Sequence, residues 1–245
     1  MCIIAYIPKN HTVNSETIEI MFDNNPDGSG LLYTQNKKLR TFKTFDVDQL
    51  ITKYNDIKQN IDTDIIIHCR IGTHGQKSME NIHPFLINNK VGFVHNGIIN
   101  LVPIDKKRSD TNMFNELLLK QLPDDFLSNE AIKELISGYI GKSKLVFMDY
   151  KQDVSIINEH LGIWDNGIWF SNDGYKDFWY TTPPKITKNK KSNKNKNVIY
   201  SDLFDYSYDD LEICPNCEAY PLDYGYCKDC GMFFDDIYKK LKWQN

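Results

Sequence analysis

The amino-acid sequence predicts an α+β fold, because short apolar runs typical of buried strands occur beside longer segments with helical periodicity. The chain has 245 residues, and 41% of them are hydrophobic, which is enough for one large core. The stretch 144–180 alternates aromatic and aliphatic residues with Asp, Asn and Gly, as an antiparallel meander does.

The individual elements follow from local patterns. Pro8 stops the first apolar run, and the turn-rich residues 24–30 precede the second. Residues 46–61 carry apolar side chains at helical spacing. Ser109 or Asp110 can cap a helix that begins there. The predicted strands are 2–7, 31–34, 64–70 and 91–95, and the predicted helices are 46–61, 109–122 and 129–138.

Charge and hydropathy exclude some classes of protein. The net charge of -4 gives no general attraction to nucleic acid or to an anionic membrane. No stretch approaches the roughly 18 apolar residues of a membrane span. The apolar run at the N-terminus is too short for a signal peptide. We therefore expect a cytoplasmic protein.

A change of composition divides the chain. Residues 185–197 contain six lysines and no acidic residue, which is typical of a linker or mobile loop. A basic arm for nucleic acid is the alternative, but the segment has no Arg and no interleaved aromatic residue. We predict a main domain at 2–182, a linker at 183–200 and a small segment at 201–245.

Four cysteines of the last segment have metal-ligand spacing. Cys214, Cys217, Cys227 and Cys230 form the pattern C-x2-C-x9-C-x2-C. Four thiolates suit tetrahedral zinc, so we predict one structural Zn²⁺ in a segment that resembles a short zinc ribbon. Its purpose stays open between stapling the segment, docking a partner and binding nucleic acid. Few basic residues lie within it, which favours the first two.

Cys2 directly follows the initiator methionine. Removal of Met1 would leave a thiol and a free α-amine on one residue, and therefore a nucleophile with its own base. Their reference pKa values, about 8.5 and about 7.7–8.0, suit chemistry near neutral pH. The alternative is that the position of this cysteine is an accident of the start codon.

Three further motifs carry polar chemistry. A buried strand delivers Arg70 to a glycine-bounded loop, where its planar fork suits a carboxylate or a surface ion pair. Asn96-Gly97 follows another strand, so an amide and a backbone N–H can form an oxyanion hole or an ordinary hairpin turn. Asp110 is either an N-cap or an acceptor for a substrate ammonium group.

Together these residues resemble the class II glutamine amidotransferases, whose purF-type domain has an N-terminal nucleophile. The resemblance covers residues 2–180 approximately. The motifs that carry it, in order, are Cys2, Pro26-Asp27-Gly28-Ser29-Gly30, Arg70 with Thr73-His74-Gly75, Asn81 with His83-Pro84-Phe85, His95-Asn96-Gly97-Ile98-Ile99, and Ser109-Asp110-Thr111.

The resemblance implies a fold and a reaction. The fold is a four-layer αββα sandwich, and the mature chain begins at Cys2. The thiolate attacks the side-chain amide of glutamine, while Asn96 and Gly97 stabilise the oxyanion. Arg70, with Thr73 and His74 beside it, holds the substrate carboxylate, and Asp110 holds its ammonium group. The glutaminase chemistry needs no cofactor.

The sequence departs from the family at Ile71-Gly72, where Trp-Ala often stands. Packing of the loop over the substrate is therefore expected to differ. A metal site built from His68, His74, His83 and His95 is disfavoured, because their spacing matches family loops and not a ligand set.

The function that we predict is hydrolysis of glutamine to glutamate and ammonia. The chain contains no second catalytic domain of synthase size, so we expect either that the ammonia passes to an acceptor on a separate partner or that the hydrolysis is a stand-alone activity. One alternative is a catalytically retired protein that acts as a zinc-ribbon module for binding protein or nucleic acid. Another keeps the fold but changes the substrate to another amide or a γ-glutamyl compound, although the pair of Arg70 and Asp110 favours glutamine.

Overall fold

The structure is a computed structural model that describes residues 2–72, 75–101, 105 and 107–176, together with the backbone of Leu222–Asp223 and Tyr226–Cys227. The chain divides into two compact units, Met1–Pro183 and Pro184–Asn245. In the second unit, the described backbone is one antiparallel pair, with Leu222 opposite Cys227. The predicted linker and the side chains of the four clustered cysteines lie outside the described residues, and so their predictions remain untested.

The described part of the first unit consists of ten strands and four α-helices. The strands are β1 (Ile3–Ile7), β2 (Ser29–Gln35), β3 (Lys38–Thr44), β4 (Ile65–Cys69), β5 (Phe85–Leu86), β6 (Val91–Asn96), β7 (Lys144–Asp149), β8 (Val154–Ile157), β9 (Ile163–Asp165) and β10 (Ile168–Phe170). The helices are α1 (Ser15–Asp23), α2 (Val47–Asn60), α3 (Asp110–Leu117) and α4 (Glu130–Ile140).

The strands form two antiparallel sheets. The six-stranded sheet has the order β3-β2-β4-β1-β10-β9, and the four-stranded sheet has the order β5-β6-β7-β8. β1 therefore lies inside the larger sheet, between β4 and β10. The α+β class predicted from the sequence is confirmed.

Three apolar clusters define the layers. One packs α1 and α2 on one face of the six-stranded sheet, through residues such as Met21 and Leu50. Another packs α3 and α4 on one face of the four-stranded sheet, through Phe114 and Ile136. The third lies between the sheets and is called the inter-sheet core. It consists of Ile4, Leu32, Ile66, Val94, Val146, Met148 and Trp169.

All four helices begin with a capping side chain. Asn14, Asp46, Ser109 and Asn129 each accept a hydrogen bond from a backbone N–H of the first turn. Such a cap stabilises a helix by about 1 kcal/mol. The structure therefore selects Ser109, and not Asp110, as the cap of α3.

The sequence-based prediction is wrong in two places. The helix expected at 109–122 ends at Leu117, because Leu118 leaves the helical region and a 3-10 turn at Leu119–Gln121 follows, which buries Leu119. The described part of the stretch 144–180 is not one meander, since β7 and β8 join the smaller sheet and β9 and β10 join the larger one.

Three elements were not predicted from the sequence. They are α1, the two-residue strand β5, and β3, which pairs with β2 through a tight turn at Asn36 and Lys37. Both turn residues have positive φ, which matches the right-handed twist of a hairpin although neither is glycine. Within the described residues, no helix is long and apolar enough to span a membrane.

Candidate active site

The predicted site residues converge because strands alternate their side chains between two faces. Cys2, His68, Ser171 and Asn96 each stand two places along the chain from a member of the inter-sheet core. Their side chains are therefore directed into the space between the sheets. All four lie at the same end of that space.

The register of the larger sheet sets the neighbours of Cys2. Ile3 pairs with Cys69, so Cys2 and Arg70 follow as the next pair of residues. On the other side of β1, the Ser171 N–H donates to the Ile4 carbonyl at 3.0 Å. The strand that carries Cys2 is therefore held from both sides.

The Cys2 thiol is partly buried and lies against the loop that follows β4. Its Sγ accepts a hydrogen bond from the Ile71 N–H at 3.4 Å and lies 3.5 Å from the Ile71 carbonyl oxygen. Burial raises the pKa of the thiol, while the Ile71 N–H opposes that rise. The group is therefore protonated at neutral pH and needs a base before it can act as a nucleophile.

Two opposite charges act on this thiol. The positive charge of Arg70 lowers the pKa of Cys2, and the negative charge of Asp110 raises it, both as smaller effects than burial. Cation and anion are therefore both within electrostatic reach of Sγ. Such a pair matches the carboxylate and ammonium groups of an amino acid.

The Arg70 backbone is fixed by the turn that precedes β2. Its N–H donates to the Gly28 carbonyl at 2.8 Å, and the Asp27 N–H donates to the Arg70 carbonyl at 2.9 Å. A Cβ at Gly72 would lie 2.9 Å from Nη1 of Arg70, so glycine lets the guanidinium lie against the loop. Arg70 is 4% exposed, which excludes the surface ion pair that was considered from the sequence.

Asn96 and Gly97 do not form a hairpin turn. Asn96 ends β6, and its partner on the neighbouring strand is Lys144, which lies beyond α3 and α4. Gly97 has φ +138, and a Cβ there would lie 2.2 Å from the Ser143 Oγ. Among the described residues, no acceptor partners the Gly97 N–H. An unpartnered donor beside a buried amide is the arrangement that an oxyanion hole requires.

Asp110 is the first residue of α3. Its Oδ2 accepts the Ile99 N–H at 2.8 Å, and its Oδ1 accepts the Thr111 N–H at 2.7 Å. The carboxylate is partly exposed, and it has acceptor capacity left for a cation. Through Ile99 it is joined to the segment that follows Gly97, so the two predicted binding elements form one unit.

Asn81 connects the two loops that carry Arg70 and Asp110. Its Nδ2 donates to the Gln76 and Lys107 carbonyls at 2.9 and 2.7 Å, and its Oδ1 accepts the Ser109 N–H at 2.8 Å. The side chain is 1% exposed, so these hydrogen bonds are protected from water. Asn81 thereby fixes the start of α3 relative to the loop after β4.

Some predicted site residues cannot be placed. Thr73 and His74 lie outside the described residues, as do the side chains of Cys214, Cys217, Cys227 and Cys230. Within the part of the chain that the structure describes, no group of three or more His, Cys, Asp or Glu side chains is arranged to hold a metal ion.

The sequence interpretation missed two residues beside Cys2. Ser171 Oγ accepts the Ile4 N–H at 2.9 Å and the Asn96 Nδ2–H at 2.7 Å. Asn172 Nδ2 donates to the Cys2 carbonyl at 2.8 Å. Two polar residues directly after a buried strand were the available indication.

Three histidines lie buried near the site. His68 Nε2–H donates to the His95 carbonyl at 3.0 Å, and the ring centroids of His68 and His83 are 3.9 Å apart. Burial lowers the pKa of His68 to about 3, that of His95 to about 4 and that of His83 well below its usual value. All three rings are therefore neutral at pH 7.

Comparison with known proteins gives a weak and partial likeness. No protein-family model and no curated protein matches the chain. Among solved structures, it is similar to glutamine phosphoribosylpyrophosphate amidotransferase from B. subtilis in complex with ADP and GMP, at 17% identity and a TM-score of 0.45. It is also similar to an allosteric regulatory enzyme of purine biosynthesis, at 15% identity and a TM-score of 0.39.

Both matches cover 69% of this chain and 41% of the solved one. The chain therefore spans less than half the length of these proteins. At such identities and TM-scores, the case for function rests on Cys2 and its neighbours.

Proposed function

We propose that this chain hydrolyses the side-chain amide of glutamine, as a glutamine amidotransferase domain with an N-terminal cysteine nucleophile and an N-terminal-nucleophile hydrolase fold. The observation that carries the proposal is that the Cys2 thiol, which the Ile71 N–H holds at 3.4 Å, is within electrostatic reach of both Arg70 and Asp110. A thiol with one cation and one anion beside it fits a substrate that has a carboxylate, an ammonium group and a reactive amide.

The binding step uses the two charges. The guanidinium of Arg70 presents a planar fork to the α-carboxylate, and the Asp110 carboxylate accepts hydrogen bonds from the α-ammonium group. Thr73 and His74 are proposed to line the same subsite. This pair of contacts discriminates glutamine from a simple amide and leaves the side-chain amide directed toward Cys2.

The chemical step begins after removal of Met1. The α-amine of Cys2 takes the thiol proton, and Sγ bonds to the amide carbon as the carbonyl electron pair moves to oxygen. Asn96 and the Gly97 N–H stabilise that oxyanion, and each donor of this kind lowers the barrier by about 2.7–4 kcal/mol.

The tetrahedral intermediate then collapses. The C–N bond of the substrate amide breaks as the protonated α-amine of Cys2 gives its proton to the leaving nitrogen. Ammonia and a thioester result. Water attacks the thioester carbon, which releases glutamate and restores the thiol. No cofactor takes part in these steps.

The proposal also assigns roles outside the hydrolysis. The ammonia passes to an acceptor on a separate partner protein. One Zn²⁺ is held by Cys214, Cys217, Cys227 and Cys230, since four thiolates at this spacing are a suitable donor set. Metal analysis of the purified chain, with and without these cysteines, tests that assignment separately.

Glutamate release from glutamine tests the proposal. Cys2→Ala is expected to abolish the release, whereas Cys69→Ala is expected to retain it, because Cys69 is fully buried on the opposite face of the sheet. Equal release by Cys2→Ala and the unsubstituted chain would contradict the proposal. No release together with a retained Met1 would instead favour a retired hydrolase that acts as a binding module.

A further inference from the structure

Ser171 joins the nucleophile strand to the end of the facing sheet. It is fully buried, and its Oγ accepts the Ile4 N–H at 2.9 Å and the Asn96 Nδ2–H at 2.7 Å. Ile4 is two residues from Cys2, and Asn96 belongs to the other sheet. One oxygen atom therefore sets the distance between the strand that carries the thiol and the amide beside Gly97.

The direction of the hydrogen bond to Asn96 leaves two groups unsatisfied. Because Ser171 Oγ accepts both of its hydrogen bonds, its hydroxyl proton has no acceptor among the described residues. The Asn96 Oδ1 is buried and also has no partner in that part of the chain. A buried polar atom without a partner is costly, and so this arrangement needs an explanation.

Half a rotation of the Asn96 side-chain amide, which exchanges the positions of Oδ1 and Nδ2, gives both unsatisfied groups a partner. Ser171 then donates its hydroxyl proton to Oδ1 and still accepts the Ile4 N–H. The Asn96 Nδ2 takes the place of Oδ1 and offers its protons there. The group left unpartnered is then a donor, which is what a developing oxyanion requires.

We propose that Ser171 is the positioning residue of the oxyanion hole and that it holds the Asn96 amide with Nδ2 directed at the substrate oxygen. This inference rests on the proposed hydrolysis of glutamine. Ser171 does not touch the substrate and acts through Asn96. The neighbouring Asn172, which donates to the Cys2 carbonyl at 2.8 Å, helps to hold the nucleophile strand in the same place.

The chemical consequence concerns the transition state. Without the Ser171 hydroxyl, the amide also adopts the orientation in which Oδ1 faces the oxyanion, and two oxygens with negative charge repel each other. Removal of an oxyanion donor lowers kcat by about 10²–10³-fold. Loss of the orientation of the Asn96 amide is expected to lower kcat by about 10–100-fold. KM should be nearly unchanged, because substrate binding does not use the contact between Ser171 and Asn96.

The test compares Ser171→Ala with a matched loss of a hydroxyl elsewhere. Thr34→Val removes a buried hydroxyl at the other end of the inter-sheet space, where Thr34 Oγ1 donates to the Asp149 carbonyl at 3.3 Å. Ser171→Cys has nearly the original volume and a weaker donor. It serves as a second variant if Ser171→Ala does not fold.

Three measurements separate positioning from general damage. They are kcat and KM for glutamine, the affinity for glutamate γ-semialdehyde, and the rate at which iodoacetamide alkylates Cys2. The aldehyde forms a hemithioacetal whose oxygen occupies the oxyanion hole, whereas alkylation displaces iodide and forms no oxyanion.

Ser171→Ala is expected to lower kcat and aldehyde affinity by a similar factor, with the alkylation rate unchanged. Ser171→Cys is expected to lie between it and the unsubstituted chain, and Thr34→Val is expected to leave all three measurements unchanged. Unaltered kcat and aldehyde affinity in Ser171→Ala would overturn the inference while the proposed function stands. A parallel fall in alkylation would also overturn it, because Ser171 would then act on the nucleophile. An unsubstituted chain without glutaminase activity would overturn both proposals.

Discussion

The two ends of the inter-sheet space differ in whether their polar groups have hydrogen-bond partners. At the end with Tyr6 and Thr34, the polar groups are paired: Tyr6 donates to the Asp64 Oδ2 at 2.8 Å, and Thr34 donates to the Asp149 carbonyl at 3.3 Å. We call this the paired end. At the end with Cys2, called the site end, several buried polar atoms have no partner among the described residues. They are His68 Nδ1, both ring nitrogens of His83 and one terminal atom of the Asn96 amide.

Each buried polar atom without a partner costs about 1–3 kcal/mol. Folding alone favours the arrangement of the paired end, so the site end must be retained for another reason. Clusters of buried polar atoms without hydrogen-bond partners are expected at functional sites. The contrast is therefore consistent with the proposed position of the site.

Substitution of Asn96 at the site end is expected to have the largest effect on glutamine hydrolysis. Asn96→Ala removes an oxyanion donor and should lower kcat for glutamine by about 10²–10³-fold. Asn115→Ala is the matched control, because Asn115 is also buried, has an unpartnered Oδ1 and donates to the Leu86 carbonyl at 3.0 Å. Steady-state kinetics of both variants checks the prediction, and equal kcat values would contradict it.

Substitution of Arg70 is expected to affect substrate binding. Arg70→Lys keeps the charge but loses the planar fork, and a hydrogen bond to a charged group is worth about 1.5–3 kcal/mol. KM for glutamine should therefore rise about 10–100-fold, with a small change in kcat. Arg40→Lys, at an exposed position in β3, should leave both constants unchanged. An unaltered KM in Arg70→Lys would show that the guanidinium does not hold the carboxylate.

Acid is expected to weaken the site end. His68 and His95 have folded pKa values of about 3 and about 4, below the usual value of 6.5, and the pKa of His83 is also lowered. As the pH falls below about 6.5, the unfolded chain binds protons that the folded chain does not. The free energy of unfolding then falls by up to about 1.4 kcal/mol per pH unit for each histidine.

His83→Phe tests this origin of the acid sensitivity, because it retains an aromatic ring between His68 and Phe85 without a titrating group. Chemical denaturation between pH 7 and pH 4 should show a shallower fall in stability than in the unsubstituted chain. His160→Phe, at an exposed position, serves as the surface control. Identical slopes for His83→Phe and the unsubstituted chain would contradict the prediction.

Alkali is expected to weaken the paired end by a smaller amount. Burial, and then the hydrogen bond to Asp64, raise the pKa of Tyr6 above its usual value of 10. The unfolded chain therefore loses this proton first, so the stability contributed by Tyr6 is present below about pH 10 and is lost above it. Tyr6→Phe should cost about 1 kcal/mol at neutral pH and flatten the fall above pH 10. Glutaminase activity should not change, and a large loss of activity would contradict the separation of the two ends.

The sequence predicted the residues that stand at the ends of strands and helices. Cys2, Arg70 and Asn96 each adjoin or end a short apolar run, and Asp110 stands beside a capping serine, so local patterns were enough to find them. The sequence pattern did not decide whether Asn96-Gly97 forms a hairpin turn or contributes to an oxyanion hole. That choice depends on the partner strand, which follows only after two helices.

The contacts that Ser171 and Asn172 make were beyond the reach of local patterns. Ser171 bonds to Ile4 across 167 residues of chain, and only the register of β10 on β1 brings them together. Similarly, 144–180 looked like one meander because alternation shows that a strand exists but not which sheet it joins. Asn158 has φ +61 and donates to the Ser143 carbonyl at 2.8 Å, and the chain leaves the smaller sheet there.

Mass spectrometry of the N-terminal peptide, after treatment with a chloroketone analogue of glutamine, tests the central claim most directly. The proposed reaction predicts a peptide that begins at Cys2 and carries one analogue group on its sulfur. Excess glutamine should protect Cys2 from labelling, whereas isoglutamine, whose amide is on the α-carboxyl group, should not. A peptide that retains Met1, or one whose Cys2 stays unlabelled while Cys69 or another cysteine reacts, would contradict it.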